Sequence, residues 1–177
     1  VRDAAAKNPR VKLVQHKENR GYGAAVRTGL QTASKDLVFF ADGDCQYQVA
    51  DMEKLFSKVD SCDAVVGYRV VRQDKYFREL KGRLWSSLNR FLFGLHVRDI
   101  NCAFKIFRCR ALEKMPLKSD SAFIHSEILA RLKKKGCKIE EIGISHHRRS
   151  AGKATATQFP AVMKTFKELQ RLYPELK

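Results

Sequence analysis

The chain has 177 residues, 44% hydrophobic and 31% charged, which suits one folded domain with a real core and excludes a disordered polymer. Lys and Arg number 35 against 19 Asp and Glu, a formal charge of +16 that favours anionic partners such as phosphorylated substrates, nucleic acid or an acidic membrane surface. The five cysteines (Cys45, Cys62, Cys102, Cys109, Cys137) form no CxxC pair and fit a reducing cytoplasmic setting, while no apolar run nears the roughly 20 residues of a membrane-spanning helix.

Residues 1–6 look like the tail of a helix, and 12–16 read as a short strand. A glycine-containing turn opens a helix over 21–33, and Leu37-Val38-Phe39-Phe40 makes 36–41 a compact apolar strand. Helix 49–59, strand 64–67, helix 77–95 and strand 103–107 follow. The chain then predicts a helix over 123–135 stopped by Gly136, a strand over 138–144, a basic loop and a helix over 159–172. Strand and helix alternate, as in a layered α/β domain with a mainly parallel sheet.

The strand at 36–41 ends on Asp42-Gly43-Asp44-Cys45-Gln46, and open α/β sheets bind ligands at the carboxyl ends of strands. Two carboxylates one residue apart, with an amide oxygen two positions later, can offer hard oxygen ligands to Mg²⁺ or Mn²⁺. Such an ion can bridge a diphosphate and neutralise charge on a leaving nucleotide. A polar turn in which Asp44 caps a helix fits the pentapeptide equally well by itself. The surrounding chain separates the two readings.

Asn19-Arg20-Gly21-Tyr22-Gly23-Ala24-Ala25, followed by the apolar strand and Asp-Gly-Asp-Cys-Gln, resembles the family 2 inverting glycosyltransferases. Within them it is most similar to the branch of dolichyl-phosphate mannose synthases and polyprenyl-phosphate glucosyltransferases. The resemblance implies a GT-A-like (Rossmann-like) layered α/β domain over 1–177, with a basic loop and helix from about 145 and the family's opening strand and helix outside this sequence. It implies donor binding by Asn19, Gly21 and Asp42, metal binding by Asp44 and Gln46, and a catalytic place for Asp42 and Asp44. The implied cofactor is a divalent cation, Mg²⁺ or Mn²⁺.

Val65-Val66-Gly67-Tyr68-Arg69 resembles the family strand that ends in Gly-x-Arg, and Asp99-Ile100-Asn101-Cys102-Ala103-Phe104-Lys105 its Asp-x-x-x-Gly-Phe-Arg/Lys segment, with alanine at 103 in place of glycine. Arg69 is expected to hold a donor or acceptor phosphate, and Asp99 to orient a hydroxyl or support the metal site. A surface ion pair is the plainer fate of either residue. Between them, Phe77, Leu80, Leu84, Leu88, Phe91 and Leu95 recur at helical spacing, widened by Trp85 and flanked by Arg78, Lys81, Arg83 and Arg90. A helix packed on the sheet is the plain reading. The resemblance to the polyprenyl-phosphate branch, whose members have this region near the membrane, implies instead a helix at a membrane surface, its basic residues on anionic lipid.

Phe123-Ile124-His125-Ser126-Glu127 and the strand 136–144, with glycine at 143 where the family has proline, resemble the family's late Glu-bearing helix and its following strand. Glu127 is thereby a candidate supporting carboxylate. The segment 146–155 resembles the loop that covers the donor and acceptor phosphates, through Arg149, Gly152 and Lys153, where such a loop can exclude water. His146 and His147, adjacent and lacking a third partner at suitable spacing, are set apart from the metal site.

The resulting expectation is inverting transfer of a hexose from UDP-hexose or GDP-mannose to a polyprenyl phosphate, on the cytoplasmic side with peripheral contact to an anionic membrane. An acceptor phosphate is already anionic and needs no strong base. The alternatives are a transferase for a soluble acceptor and a basic nucleic-acid module. For the latter, no RNP-like strand or zinc-finger spacing supports the charge, so no nucleic-acid partner is expected.

Overall fold

The computed structural model describes residues 2–70, 76–147 and 158–177, the side chains of 76–79 excepted. A short helix α1 (Arg2–Lys7) leads through an extended stretch to α2 (Tyr22–Thr32) and strand β1 (Leu37–Ala41). A 3₁₀ turn (Val49–Asp51) runs into α3 (Met52–Phe56), followed by β2 (Ala64–Arg69) and α4 (Tyr76–Phe93). The remainder is β3 (Phe104–Arg108), α5 (Cys109–Leu112), α6 (Ile124–Lys134), β4 (Ile139–Ile144) and α7 (Phe159–Leu176).

The sheet order is β1-β3-β2-β4. β3 runs antiparallel to both β1 and β2, whereas β2 and β4 are parallel. Three of the four strands therefore share one direction, and the reversed β3 lies between two of them. This brings the carboxyl ends of β1, β2 and β4 to the same edge as the amino end of β3.

Alternation along the strands feeds two cores. Val38, Ala64, Val66 and Phe107 face α2, α4, α6 and α7, joining Val26, Phe93, Phe123, Ile128 and Leu172. Val65, Phe104, Ile106 and Ile144 face the opposite way, onto Leu55 and Val59 around α3. Strands covered on both faces read as continuous apolar runs, which is why Leu37-Val38-Phe39-Phe40 shows no polar alternation.

Two expectations about elements change. Residues 12–16 form no strand; they find no ladder partner among the described residues, and Leu13 and Val14 stay exposed. The helix expected over 49–59 breaks into the 3₁₀ turn, α3 and a second 3₁₀ turn (Val59–Ser61). The apolar stripe of α4 is divided: Leu80, Leu84 and Phe91 are exposed, whereas Leu88 and Trp85 pack against the core and Ser86, Asn89 and Phe93 on the opposite side are buried. Leu95 is buried beyond the helix end, after Gly94 at φ +60°.

The C-terminus of α6 forms as expected. Gly136 sits at φ +74°, its amide donating to Lys133 O at 2.9 Å and that of Cys137 to Leu132 O at 3.0 Å, the paired bonds of a Schellman stop.

Candidate active site

The acidic turn lies where β1 ends. Asp42 N donates to Ala103 O at 3.3 Å, tying the turn to the start of β3. Gln46 N donates to Asp44 Oδ1 at 3.2 Å, and Cys45 adopts φ +59°, a conformation uncommon outside glycine and frequent at ligand sites. Gln46 is nearly buried; its Nε2 donates to His147 O at 3.1 Å and lies 3.3 Å from His146 Nε2, which leaves Oε1 as its acceptor atom. Tyr47 pairs with His146 across an isolated bridge, so the end of β4 forms the floor under the turn.

Asp42 is held from another direction. Tyr22, in the first turn of α2, donates its hydroxyl to Asp42 Oδ1 at 2.9 Å. The Tyr22 hydroxyl oxygen lies 3.0 Å from His125 Nε2 on α6, and His125 Nδ1 lies 3.3 Å from Lys105 Nζ on β3. Lys105, fully buried, also donates to Ile100 O at 3.0 Å and to Cys102 O. Burial of the hydroxyl, then the Asp42 charge, push the Tyr22 phenol up. Burial lowers Lys105 to about 8; burial, then the Lys105 charge, hold His125 well below its ordinary value.

Arg69 at the end of β2 and Asp99 ahead of β3, expected to act separately, are brought together. Nε and Nη2 of Arg69 donate to Oδ2 and Oδ1 of Asp99 at 2.6 and 3.0 Å. Burial works against the Arg69 charge, and the pair with Asp99 outweighs it, so its pKa rises. The pair belongs to the same electrostatic neighbourhood as the acidic turn, since Asp99, Asp42 and Arg69 all act on Lys105.

Asn19 and Gly21 shape the entry to α2. Asn19 Oδ1 accepts from Gly21 N at 3.0 Å, and Gly21 takes φ +97°, open to glycine without steric cost. Both line a cavity of about 1100 Å³ with Arg10, Lys12, Arg20 and Lys35. That cavity runs along α2 and does not include Asp42 or Asp44; the carboxylate turn stands outside it.

Glu127 is placed apart from the acidic turn. Fully buried, it accepts from Lys118 N at 2.9 Å, Ser119 N at 2.8 Å and Arg131 Nε at 3.0 Å. It thereby clamps the 118–121 loop, on which α2 begins: Gly23 N donates to Asp120 O at 3.0 Å. Arg149, Gly152 and Lys153 lie outside the described residues.

Sequence reading missed Tyr22, His125, Lys105 and His146 as site residues. Tyr22 and Lys105 stood inside the quoted motifs, Tyr22 beside the conspicuous glycines. His125 also stood inside a quoted motif, Phe123-Ile124-His125-Ser126-Glu127, where attention fell on Glu127. His146 was set apart for lack of a third metal partner, yet it supports Gln46.

The donor set of the turn is all oxygen: the Asp42 and Asp44 carboxylates and the Gln46 amide. Among the described residues no three His, Cys, Asp or Glu side chains converge on one point. This fits a Mg²⁺-type ion carried on one or two carboxylates with substrate phosphates completing its shell, and does not fit an all-protein cage.

The chain is 27% identical over 146 residues to a dodecaprenyl-phosphate galacturonate synthase from Rhizobium johnstonii, covering 80% of this chain and 43% of that one. It is 33% identical over 118 residues to an undecaprenyl-phosphate 4-deoxy-4-formamido-L-arabinose transferase from Aeromonas hydrophila subsp. hydrophila, covering 65% and 36%. The chain thus spans less than half the length of these two relatives. Its fold matches a crystal structure of glucosyl-3-phosphoglycerate synthase from Mycobacterium tuberculosis in complex with Mg²⁺ and uridine diphosphate, with a TM-score of 0.65 and 15% identity over 92% of this chain and 57% of that one. The expected GT-A-like layered fold is therefore present. The profile described as glycosyl transferase family 2 matches residues 1–119, and the chain belongs to that family.

Proposed function

We propose that the protein is an inverting hexosyltransferase that takes its sugar from a nucleotide donor and delivers it to a polyprenyl phosphate. The observation that carries this reading is the strand-end turn of Asp42, Asp44 and Gln46, held from below by His146 and His147 and from the side by Tyr22. A family 2 chain with this oxygen donor set is suited to a nucleoside diphosphate and a divalent ion. Asp44 and Gln46 would hold that Mg²⁺ or Mn²⁺, with Asp42 beside them, and the ion when bound neutralises charge on the departing diphosphate.

In the transfer, an acceptor phosphate oxygen attacks the anomeric carbon while the bond from that carbon to the donor diphosphate breaks. The bonding pair leaves with the nucleoside diphosphate, and configuration inverts. No proton has to be removed from an anionic acceptor. This agrees with Glu127, whose carboxylate is already committed to backbone amides and Arg131, and with His125, which is buried and disposed to stay neutral. The basic cavity beside Asn19 and Gly21 suits a phosphate-bearing nucleotide along α2, and Tyr22, which follows Gly21, ties the start of that helix to Asp42. Arg149, Gly152 and Lys153 are proposed to cover the phosphates from the basic loop.

The polyprenyl acceptor is supported by the relatives named for dodecaprenyl and undecaprenyl phosphates and by the surface. Leu80, Leu84 and Phe91 of α4 point outward, as do Phe159, Met163 and Phe166 of α7. The Trp85 and Phe166 rings, with centroids 5.6 Å apart, join the two helices. Exposed Lys81, Arg90, Lys164 and Lys167 border these residues. Apolar side chains rimmed by cations suit the interface of an anionic membrane. No helix among the described residues is long and apolar enough to cross one.

The test is a transfer assay with UDP-hexoses and GDP-mannose, offering polyprenyl phosphate in detergent and, in parallel, a soluble phosphorylated acceptor. A sugar-linked polyprenyl monophosphate of inverted anomeric configuration is expected. Nucleotide release with the soluble acceptor alone would transfer the assignment to the soluble class.

A further inference from the structure

The contacts between Lys105 and Asp42 permit one arrangement of protons. An ionised carboxylate only accepts, so Tyr22 spends its single hydroxyl hydrogen on Asp42 Oδ1 at 2.9 Å. The Tyr22 oxygen must then be the acceptor in its 3.0 Å contact with His125, which requires a hydrogen on His125 Nε2. At the far side of the ring, the Lys105 ammonium has hydrogens and no lone pair. His125 Nδ1, 3.3 Å from Lys105 Nζ, must therefore be bare and accept. The remaining two Lys105 hydrogens go to Ile100 O and Cys102 O, so all three of its donors are used. The imidazole is walled by Phe40 and Tyr22, with ring centroids at 5.7 and 5.5 Å.

We propose that Lys105, His125 and Tyr22 are positioning residues, forming a one-way hydrogen-bond chain from a buried cation to Asp42 that aims this carboxylate at the donor diphosphate site. The proposal rests on the donor reading given above for the acidic turn. Each bond polarises the next in the same sense, which strengthens the terminal bond to Asp42. A second proton on the imidazole would place Nδ1–H against the ammonium, breaking the chain and opposing two like charges. His125 therefore works as a fixed neutral relay of hydrogen bonds, and Tyr22 as the hand that holds Asp42 in one rotamer. Neither touches the reacting atoms.

The experiment is NMR of the whole protein labelled with ¹⁵N-histidine, paired with calorimetry of Mg²⁺-dependent UDP binding. His125 is expected as the neutral Nε2–H tautomer from about pH 5.5 to about pH 7.5, a range in which a free imidazole titrates. Tyr22→Phe should move the Nε2 signal and weaken Mg²⁺-dependent UDP binding about tenfold, the size of one charge-assisted hydrogen bond. His125→Phe should weaken it similarly, whereas His125→Gln, whose amide both accepts and donates, should recover most of the affinity. An Nδ1–H tautomer, or an imidazolium in that range, would overturn the proposal whatever the variants do. So would unchanged UDP affinity in a folded Tyr22→Phe protein. If the wild type binds neither UDP nor GDP while His125 shows the expected tautomer, the donor reading fails, and with it the role given to Asp42, but the directed chain stands.

Discussion

Arg69 and Asp99 form a bidentate ion pair, Nε to Oδ2 at 2.6 Å and Nη2 to Oδ1 at 3.0 Å, that joins the end of β2 to the approach to β3. Both side chains are largely withdrawn from solvent, 13% and 6% exposed, so each charge depends on the other. Breaking a buried pair by removing one partner costs about 3–5 kcal/mol. Asp99→Ala is predicted to lower unfolding stability in urea by that amount, and Arg69→Lys, which keeps the charge without the planar fork, by less.

Gly23 presses against backbone. A Cβ there would lie 2.5 Å from Ser119 O and 2.6 Å from Ser121 O. The loop cannot yield easily, because Glu168 takes hydrogen bonds from Asp120 N at 3.1 Å and Ser121 Oγ at 2.6 Å, while Glu127 holds Ser119. Gly23→Ala is predicted to cost about 1–3 kcal/mol by overpacking and to lift the start of α2, weakening the Tyr22 bond to Asp42. Thermal unfolding measures the first effect, and Mg²⁺-dependent UDP affinity the second.

Lys105 gives a pH dependence of definite sign. Burial lowers it to about 8 from 10.5. Between those values the unfolded chain keeps a proton that the folded chain has released, so stability rises with pH across the window. The contribution is fully present above 10.5 and is lost as pH falls through about 8. Relative to Lys105→Met, wild-type stability in urea should rise from about pH 8 to about pH 10.5 by something on the order of 3 kcal/mol.

The outward face of α4 predicts a separable loss. Leu84 and Phe91 are 62% and 86% exposed, so Leu84→Glu with Phe91→Glu should change stability by no more than about 0.5 kcal/mol per site. Co-sedimentation with vesicles rich in anionic lipid should nevertheless fall sharply. Undiminished sedimentation of the double variant would remove these two residues from the membrane surface.

The strand-end turn and the α/β alternation were legible in the sequence because both rest on local signals: Leu37-Val38-Phe39-Phe40 is an unbroken apolar run, and Asp42-Gly43-Asp44 interrupts it abruptly. Gly136 likewise marked the end of α6 through its backbone freedom. The direction of β3 was not legible, since an apolar strand covered on both faces reads the same whichever way it runs. The 12–16 stretch has strand-like side chains, but a strand exists only with a ladder partner. The stripe on α4 was visible as a period and silent on its sense; burial placed Ser86, Asn89 and Phe93 inward. Tyr22, His125 and Lys105 are separated by 103 and 20 residues along the chain, so their chain of contacts could be found only in three dimensions.

Calorimetry of UDP and GDP with and without Mg²⁺, on wild type and Asp44→Ala, decides whether the Asp42, Asp44 and Gln46 turn binds a nucleoside diphosphate through a divalent cation. Binding of one of them that needs both the cation and Asp44 is expected. UDP binding of equal strength without Mg²⁺, or undiminished in a folded Asp44→Ala protein, would contradict it.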